Sequence, residues 1–169
     1  KITELLLCNR SNPDIPNHDN DTPLLWALES ERFDIAKLLL KNKCCVENAN
    51  SNGMTPLMWA VKNRNLEIID MLLSMPAYTF PHNLNRKNNK KMSALMWSLI
   101  PHVENPNNKI IAEMLIRSKC DIDTTDSNGN NLLIHAVRQN NIDMVEMLLS
   151  LKCSIAHQAH NGQTALIMS

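Results

Sequence analysis

Residues 55–60 of the chain are Thr55-Pro-Leu-Met-Trp-Ala, and nearly the same six residues, Thr22-Pro-Leu-Leu-Trp-Ala, stand 33 positions earlier. Three further copies begin at Ser93, Asn131 and Thr164, so successive copies are 33, 38, 38 and 33 positions apart. A second apolar segment with helical spacing, such as that of residues 68–72, follows each of the first four copies. Two helical segments repeated at one period predict a stack of helix pairs.

The first residue of each copy has a side chain that caps helices, because its oxygen can accept from the free N–H groups of a first turn. Pro23 and Pro56 follow at the position where a missing N–H costs nothing. Small residues five positions after the cap let a neighbouring helix approach, and acidic residues precede three second helices, where the helix dipole favours them. The caps are Thr22, Thr55, Ser93, Asn131 and Thr164, the small residues Ala27, Ala60, Ser98, Ala136 and Ser169, and the acidic residues Asp34, Glu67 and Asp143.

The period, the Thr-Pro-Leu-x-x-Ala opening and the later Leu-Leu-Leu resemble ankyrin repeats over the whole chain. Tetratricopeptide units also pair two helices, but they lack the polar stretch that here separates each second helix from the next cap, as at residues 40–54 and 116–130. The resemblance implies an all-α ankyrin-repeat α-solenoid of helix-turn-helix pairs with protruding β-hairpin fingers. It implies a single domain, 1–169, with a half-repeat 1–16, repeats 17–49, 50–87, 88–125 and 126–158, and a partial repeat 159–169.

Two positions depart from the family pattern. The His that the family usually has after Thr-Pro-Leu is apolar in every copy, so we expect apolar packing to hold the helices together. The Gly that usually ends the second helix is a basic residue in four copies, and such a residue costs roughly 1 kcal/mol in a left-handed conformation. Either the helices end in another way or the array accepts this cost repeatedly, which would leave it marginally stable. The residues are Leu25, Met58, Met96, Ile134 and Ile167 at the first position, and Arg10, Lys43, Lys119 and Lys152 at the second.

The two longer units each carry an insertion of five residues. The first lengthens the finger between Leu73 and Ser93, and the second, with Pro101 and Pro106, lengthens the connection between Trp97 and Met114. Long loops in a regular array serve a function or result from drift, and both interpretations stay open.

A basic cluster follows the first insertion. One hypothesis is that it binds an acidic partner segment or a phosphate. The other is that it is a solvated finger balanced by the acidic finger that follows. The basic residues are Arg86, Lys87, Lys90 and Lys91, and the acidic ones are Asp121, Asp123 and Asp126.

Trp26, Trp59 and Trp97 occupy the same place in three successive repeats. Equivalent positions of stacked repeats are buried together, which favours a packed column of rings in the core. The alternative is a partly exposed aromatic stripe that offers anchors to a ligand. The solvent exposure of the three side chains distinguishes these interpretations.

The cysteines do not form a metal-binding pattern. Cys44, Cys120 and Cys153 are equivalent positions, which lie one repeat apart, whereas a metal needs its ligands around one centre. We therefore expect them to be small buried apolar residues. His157 and His160 lack a helix and a Glu partner, and the Asp-rich run 121–126 lacks the Glu of a calcium loop.

Composition excludes several classes of protein. The 17 basic and 17 acidic residues give zero net charge, which argues against nucleic acid as a partner. No apolar run approaches the roughly 20 residues that span a bilayer, so no membrane insertion is expected. Five cysteines, an odd number, favour reduced thiols in an intracellular, cytoplasmic setting, which is the host cytosol if the protein is an effector. The chain starts at Lys1 without an initiator Met or a signal segment, so we expect it to be part of a larger protein.

The resemblance implies a non-catalytic protein–protein interaction module whose fingers and first helices form a concave surface for a partner protein. No enzyme motif occurs, and no cofactor or metal is expected. Two alternatives stay open, namely the recruiting arm of a multidomain enzyme and an effector of an intracellular pathogen that engages a host protein. The oligomeric state stays open as well. The candidate partner-binding residues are His18, Asp21, Glu29, Ser30, Ser51, Met54, Lys62, Asn63, Arg86, Lys87, Lys90, Lys91, Met92, Ser127, Asn130, Arg138, Gln139 and Gln163.

Overall fold

The computed structural model of the chain describes residues 1–79, 81–99 and 107–169. These residues form short helices joined by turns. The α-helices are α1 (Ile2–Cys8), α2 (Pro23–Glu29), α3 (Phe33–Lys41), α4 (Pro56–Lys62), α5 (Leu66–Leu73), α6 (Pro81–Leu84), α7 (Ala94–Trp97), α8 (Asn107–Arg117), α9 (Leu132–Arg138) and α10 (Ile142–Ser150), and one 3₁₀ turn spans Pro76–Thr79.

The helices pair and stack as the repeat pattern predicts. Each first helix packs on the second helix of its own repeat, in the pairs α2 with α3, α4 with α5, α7 with α8, and α9 with α10. First helices also pack on first helices, from α2 to α4 to α7, and second helices on second helices, from α3 to α5 to α8. The all-α solenoid is confirmed, while the repeat boundaries stay a prediction.

Helix caps confirm the sequence pattern. Oxygens of Thr22, Thr55 and Ser93 accept from the backbone N–H three residues on at 3.3–3.4 Å, and the Asn131 oxygen does so at 3.0 Å. Asn65 and Asn141 cap two second helices in the same way, which the sequence analysis missed. The acidic residues Asp34, Glu67 and Asp143 lie inside the first turns of α3, α5 and α10 and not before them, which corrects their predicted place by a few residues.

The core runs along the stack between the two layers of helices. The small residues Ala27, Ala60, Ser98 and Ala136 are buried where helices meet. Apolar packing also replaces the family His in four copies, since these side chains are buried, whereas Ile167 in the last copy is exposed. The buried residues of this position are Leu25, Met58, Met96 and Ile134.

The helices α1, α3, α8 and α10 are each followed by a left-handed residue although glycine is absent. Arg10, Lys43, Lys119 and Lys152 have φ between 57° and 69°. At each end the following N–H still bonds back to a carbonyl of the last turn, as Cys44 does to Leu39 at 3.3 Å. Of the two outcomes considered above, the array therefore accepts the strained conformation four times.

Each finger contains a five-residue turn at its tip. In four of them the first residue, an Asn or Asp, accepts from the N–H groups of the third and fifth residues, and in all five the fourth residue has a positive φ. Among the described residues, hairpin pairing is limited to single antiparallel bridges, Lys87 with Ser93 and Thr125 with Asn131. The turns span residues 17–21, 50–54, 88–92, 126–130 and 159–163.

The first insertion lies at the base of its finger and not at the tip, which corrects the expectation of a longer finger. The extra residues form the 3₁₀ turn and α6, while the tip 88–92 keeps the common length. Buried Tyr78 donates its hydroxyl hydrogen to the Val46 carbonyl at 2.9 Å, so the insertion packs back on the preceding repeat. The second insertion, with Pro101 and most of its loop, falls outside the described residues.

Candidate functional site

The finger tips form a continuous row over the first three fingers. The N–H and the hydroxyl of Ser51 both donate to the Asp19 carbonyl, at 2.9 and 2.8 Å, and the Asn89 N–H donates to the Asn52 carbonyl at 3.1 Å. A Cβ on Gly53 would lie 2.9 Å from the Asn88 Cα, so the two fingers approach as closely as glycine allows. These bonds hold the backbone of the row in place while most tip side chains face solvent.

Burial divides the finger candidates. His18, Ser51, Lys90, Lys91 and Ser127 are exposed, and Asp21 and Gln163 are half-buried.

Three of the finger candidates are buried, which corrects their expected availability to a partner. Met54 and Met92 are the fifth residues of their turns, directly before the capped helix, and their side chains join the core. Asn130 holds the equivalent place and donates to the Asp126 carboxylate at 3.0 Å. The fifth position of the turn is therefore buried in the three middle fingers, whereas in the first and last fingers it is half-buried.

The four residues of the basic cluster fall into two pairs with different contacts. Arg86 donates to the Glu47 carbonyl, and the Lys87 ammonium donates to the Thr125 carbonyl at 2.9 Å, so both tie neighbouring repeats together. Lys90 and Lys91, at the tip, are exposed. Among the described residues, no ion pair joins this cluster to the acidic finger that follows.

The acidic finger uses its carboxylates within its own part of the stack. Asp123 accepts from the Ser154 N–H at 3.0 Å. Asp126 accepts from His135 Nε2 at 3.1 Å and from Asn130. Burial raises the pKa of Asp126, but the hydrogen bonds from Asn130 and Asn128 and the nearby His135 outweigh it and hold the pKa below its usual range. Burial lowers the pKa of His135, which Asp126 opposes only in part.

The ends of the first helices carry the second group of candidates. Glu29, Ser30 and Arg138 are exposed, and Lys62 and Gln139 are half-buried. Half-buried Asn63 donates its amide to the Leu28 carbonyl at 2.6 Å, so it joins α4 to α2.

The tryptophan column combines both interpretations made from the sequence. Trp59 is 7% exposed and Trp97 is half-buried, as a packed column predicts, but Trp26 is 48% exposed, as an aromatic stripe predicts. The Lys62 ammonium lies 4.2 Å from the centre of the Trp59 ring and 5.7 Å from that of Trp97. Lys62 stands three residues after Trp59, on the same helix face, so this spacing could have revealed the contact. At the equivalent place Trp26 has Glu29, which cannot cover a ring in this way.

His135 occupies the tryptophan position in the fourth repeat, which the sequence analysis did not use. Its ring contacts buried Asp126 instead of a neighbouring indole. The polar pair therefore replaces aromatic packing at this end of the column.

A groove of about 510 Å³ lies between α1, the loop 11–17 and α2. Leu6, Ile15, Pro23 and Trp26 give it a mostly apolar lining. It lies beside the first finger turn, because Asn17 and Asp21 also line it.

The equivalent cysteines are buried, as predicted from the sequence. Burial raises the pKa of Cys44 and that of Cys120 to about 12, with nearby Asp14 adding to the rise at Cys44 and Asp121 at Cys120. Both are therefore protonated at neutral pH and poor nucleophiles. In the described ranges, no group of three or more His, Cys, Asp and Glu side chains is arranged to hold a metal ion.

No helix in the described part of the chain has the length and apolar character that crossing a bilayer requires.

Comparison with known protein families gives a match. A family model described as ankyrin repeats (3 copies) matches residues 1–88 and 99–169. No curated protein is a significant match to the chain.

Proposed function

Because the chain belongs to the ankyrin-repeat family, whose repeats are generally protein–protein interaction modules, we propose that it binds a partner protein on the concave face formed by its finger turns and first helices. The main structural support for this proposal is the row of finger tips. Its backbone is held by hydrogen bonds from finger to finger, while most of its side chains remain exposed. A surface that is ordered before binding loses little entropy when a partner binds.

The contact residues that we propose are the exposed and half-buried candidates of this face other than Arg86 and Lys87, whose side chains bond to carbonyls of neighbouring repeats. Exposed polar side chains at ordered positions can contact a partner without rearrangement of the core. They are His18, Asp21, Glu29, Ser30, Ser51, Lys62, Asn63, Lys90, Lys91, Ser127, Arg138, Gln139 and Gln163.

Ankyrin-repeat domains are typically non-catalytic, and we propose a binding role without catalysis here. The buried thiols support this proposal, because their raised pKa values oppose nucleophilic chemistry. The five cysteines are free, which supports a reducing, cytoplasmic setting.

Affinity capture from a cell extract tests the binding face. The test variant reverses three charges of the proposed face, with Glu29→Lys, Lys62→Glu and Arg138→Glu. The matched control makes the same net change on second helices, with Asp70→Lys, Lys41→Glu and Arg117→Glu, all at exposed positions. We expect the control to recover the wild-type partner and the test variant to lose it. Equal recovery by both variants would place binding elsewhere.

A further inference from the structure

Lys62 is a cation in the middle of the proposed binding face. Its ammonium lies over the rings of Trp59 and Trp97, at 4.2 and 5.7 Å from their centres. No carboxylate of the described residues is within ion-pair distance of it. Among the described residues, the three N–H groups of the Lys62 ammonium therefore have no carboxylate acceptor.

The two rings hold the Lys62 ammonium in place before a ligand binds. An ammonium held over aromatic faces has fewer side-chain conformations to lose on binding. The half-buried position also weakens screening by water, so an attraction to an anion is stronger than on an open surface. Buried Trp59 and half-buried Trp97 form the base of the site, and the indole nitrogens of both are buried.

Charge changes sign along the binding face. At the ends of the first helices, Glu29 is followed by Lys62 one repeat later. The finger tips follow the same order, because the first carries Asp19 and the third carries Lys90 and Lys91. The charged residues that we propose as contacts are therefore positive in every repeat after the first that has one, although the chain as a whole has zero net charge.

We propose that Lys62, seated on Trp59 and Trp97, is the anchor for an Asp or Glu side chain in an acidic segment of the partner protein. Lys90 and Lys91 contact further acidic residues of the same segment. This inference rests on the proposed function, because it requires the partner to bind the face of fingers and first helices.

A carboxylate fits the site better than a phosphorylated residue. Phosphate groups in proteins are commonly held by the forked guanidinium of arginine. Arg64, which donates to the Lys62 carbonyl at 3.3 Å, also donates to Asn108 Oδ1 at 2.9 Å, and Arg86 of the basic cluster donates to the Glu47 carbonyl. A single ammonium on an apolar base matches one carboxylate.

Selection from a displayed library of random peptides tests the inference. The wild-type chain is compared with Lys62→Met, which keeps the packing on the two rings, with Lys62→Arg, which keeps the cation, and with Lys41→Met, which removes an exposed charge from second helix α3. Near-ultraviolet circular dichroism checks that each variant keeps its tryptophan environment. The most enriched wild-type peptide is then resynthesised with Gln for Glu and Asn for Asp, and also with phosphoserine at its acidic positions.

We expect acidic peptides to be enriched on the wild type, Lys62→Arg and Lys41→Met, and not on Lys62→Met. For the resynthesised peptide, Lys62→Met should raise the dissociation constant by roughly tenfold or more, because a charge-assisted hydrogen bond is lost. The Gln and Asn peptide should lose binding by a similar factor, and the phosphoserine peptide should not exceed the acidic one.

Other outcomes would overturn different parts of the proposal. If the enriched peptides lack acidic residues, or if Lys62→Met binds acidic peptides as well as Lys41→Met does, the anchor is wrong while the binding face stands. Tighter binding of the phosphoserine peptide would replace the carboxylate with a phosphate. Peptides that bind the triple charge-reversal variant undiminished, or no enrichment at all, would overturn the proposed function itself.

Discussion

Residues with a positive φ lower the stability of this array wherever they are not glycine. Nine described residues other than glycine have a positive φ, and four of them end second helices where a glycine would be free of strain. At these ends the backbone hydrogen bonds of a left-handed cap still form, as between Cys120 N–H and the Leu115 carbonyl at 3.2 Å. The cap is therefore kept at the cost of conformational strain.

Replacing Lys119, with φ of 69°, by Gly should stabilise the fold. The relief of strain exceeds the extra freedom that glycine gives the unfolded chain, so we expect a gain of about 0.5 kcal/mol in the free energy of unfolding. Urea unfolding measures it. Lys119→Ala is the control, because alanine keeps the strained conformation. A glycine variant no more stable than the alanine variant would contradict the strain.

His135 should make stability depend on pH. Its pKa is lowered by burial, so as pH falls below the usual imidazole value of about 6.5 the unfolded chain takes up a proton before the folded chain does. Stability therefore decreases as pH falls through this range. Asp126, with its lowered pKa, adds a loss of the same sign only at more acidic pH.

His135→Gln removes the imidazole contribution while keeping a side chain that can donate to Asp126. We expect the free energy of unfolding of this variant to fall less than that of the wild type between pH 7 and about pH 5. His18→Gln, at an exposed finger tip, is the control. Identical pH slopes for wild type and His135→Gln would show that the buried pair does not carry the effect.

At the scale of elements, the finger turns combine a local turn with a contact to the next finger. Gly53 and Gly162 separate the two contributions, because their φ values are 74° and 77° but only Gly53 has a neighbour within contact distance of an added Cβ. An alanine would therefore be strained at both positions. The contact with Asn88 belongs to Gly53 alone.

Gly53→Ala should therefore destabilise the fold more than Gly162→Ala. Each variant bears a conformational penalty of roughly 1 kcal/mol. In Gly53→Ala the new Cβ would also lie 2.9 Å from the Asn88 Cα, so the two fingers must move apart. Thermal and urea unfolding of both variants measure the difference. Equal losses would mean that the row of fingers contributes nothing to stability.

Helices were more predictable from the sequence than the site. Their caps and apolar spacing are local features of the sequence, so Thr22 and Asn131 predict the start of a helix without knowledge of the rest of the fold. Burial of Met54 depends on the direction in which the fifth residue leaves a turn, which composition does not encode. The contact of Lys62 with Trp97 joins residues 35 positions apart, so only the stacking of repeats brings them together.

The whole molecule should be marginally stable, which stays a prediction. Each repeat contacts only its neighbours, so strain in one repeat is offset only locally. We expect a thermal unfolding midpoint within the ordinary range of about 45–65 °C. A midpoint above roughly 90 °C would contradict it.

Binding on the face of fingers and first helices is the central claim at this scale. Hydrogen exchange of the chain, free and bound to the partner recovered by capture, tests it most directly. We predict slower exchange in the turns 17–21, 50–54 and 88–92 and in the first helices α2 and α4. Protection confined to the second helices α3, α5, α8 and α10, with the finger turns unchanged, would contradict the claim.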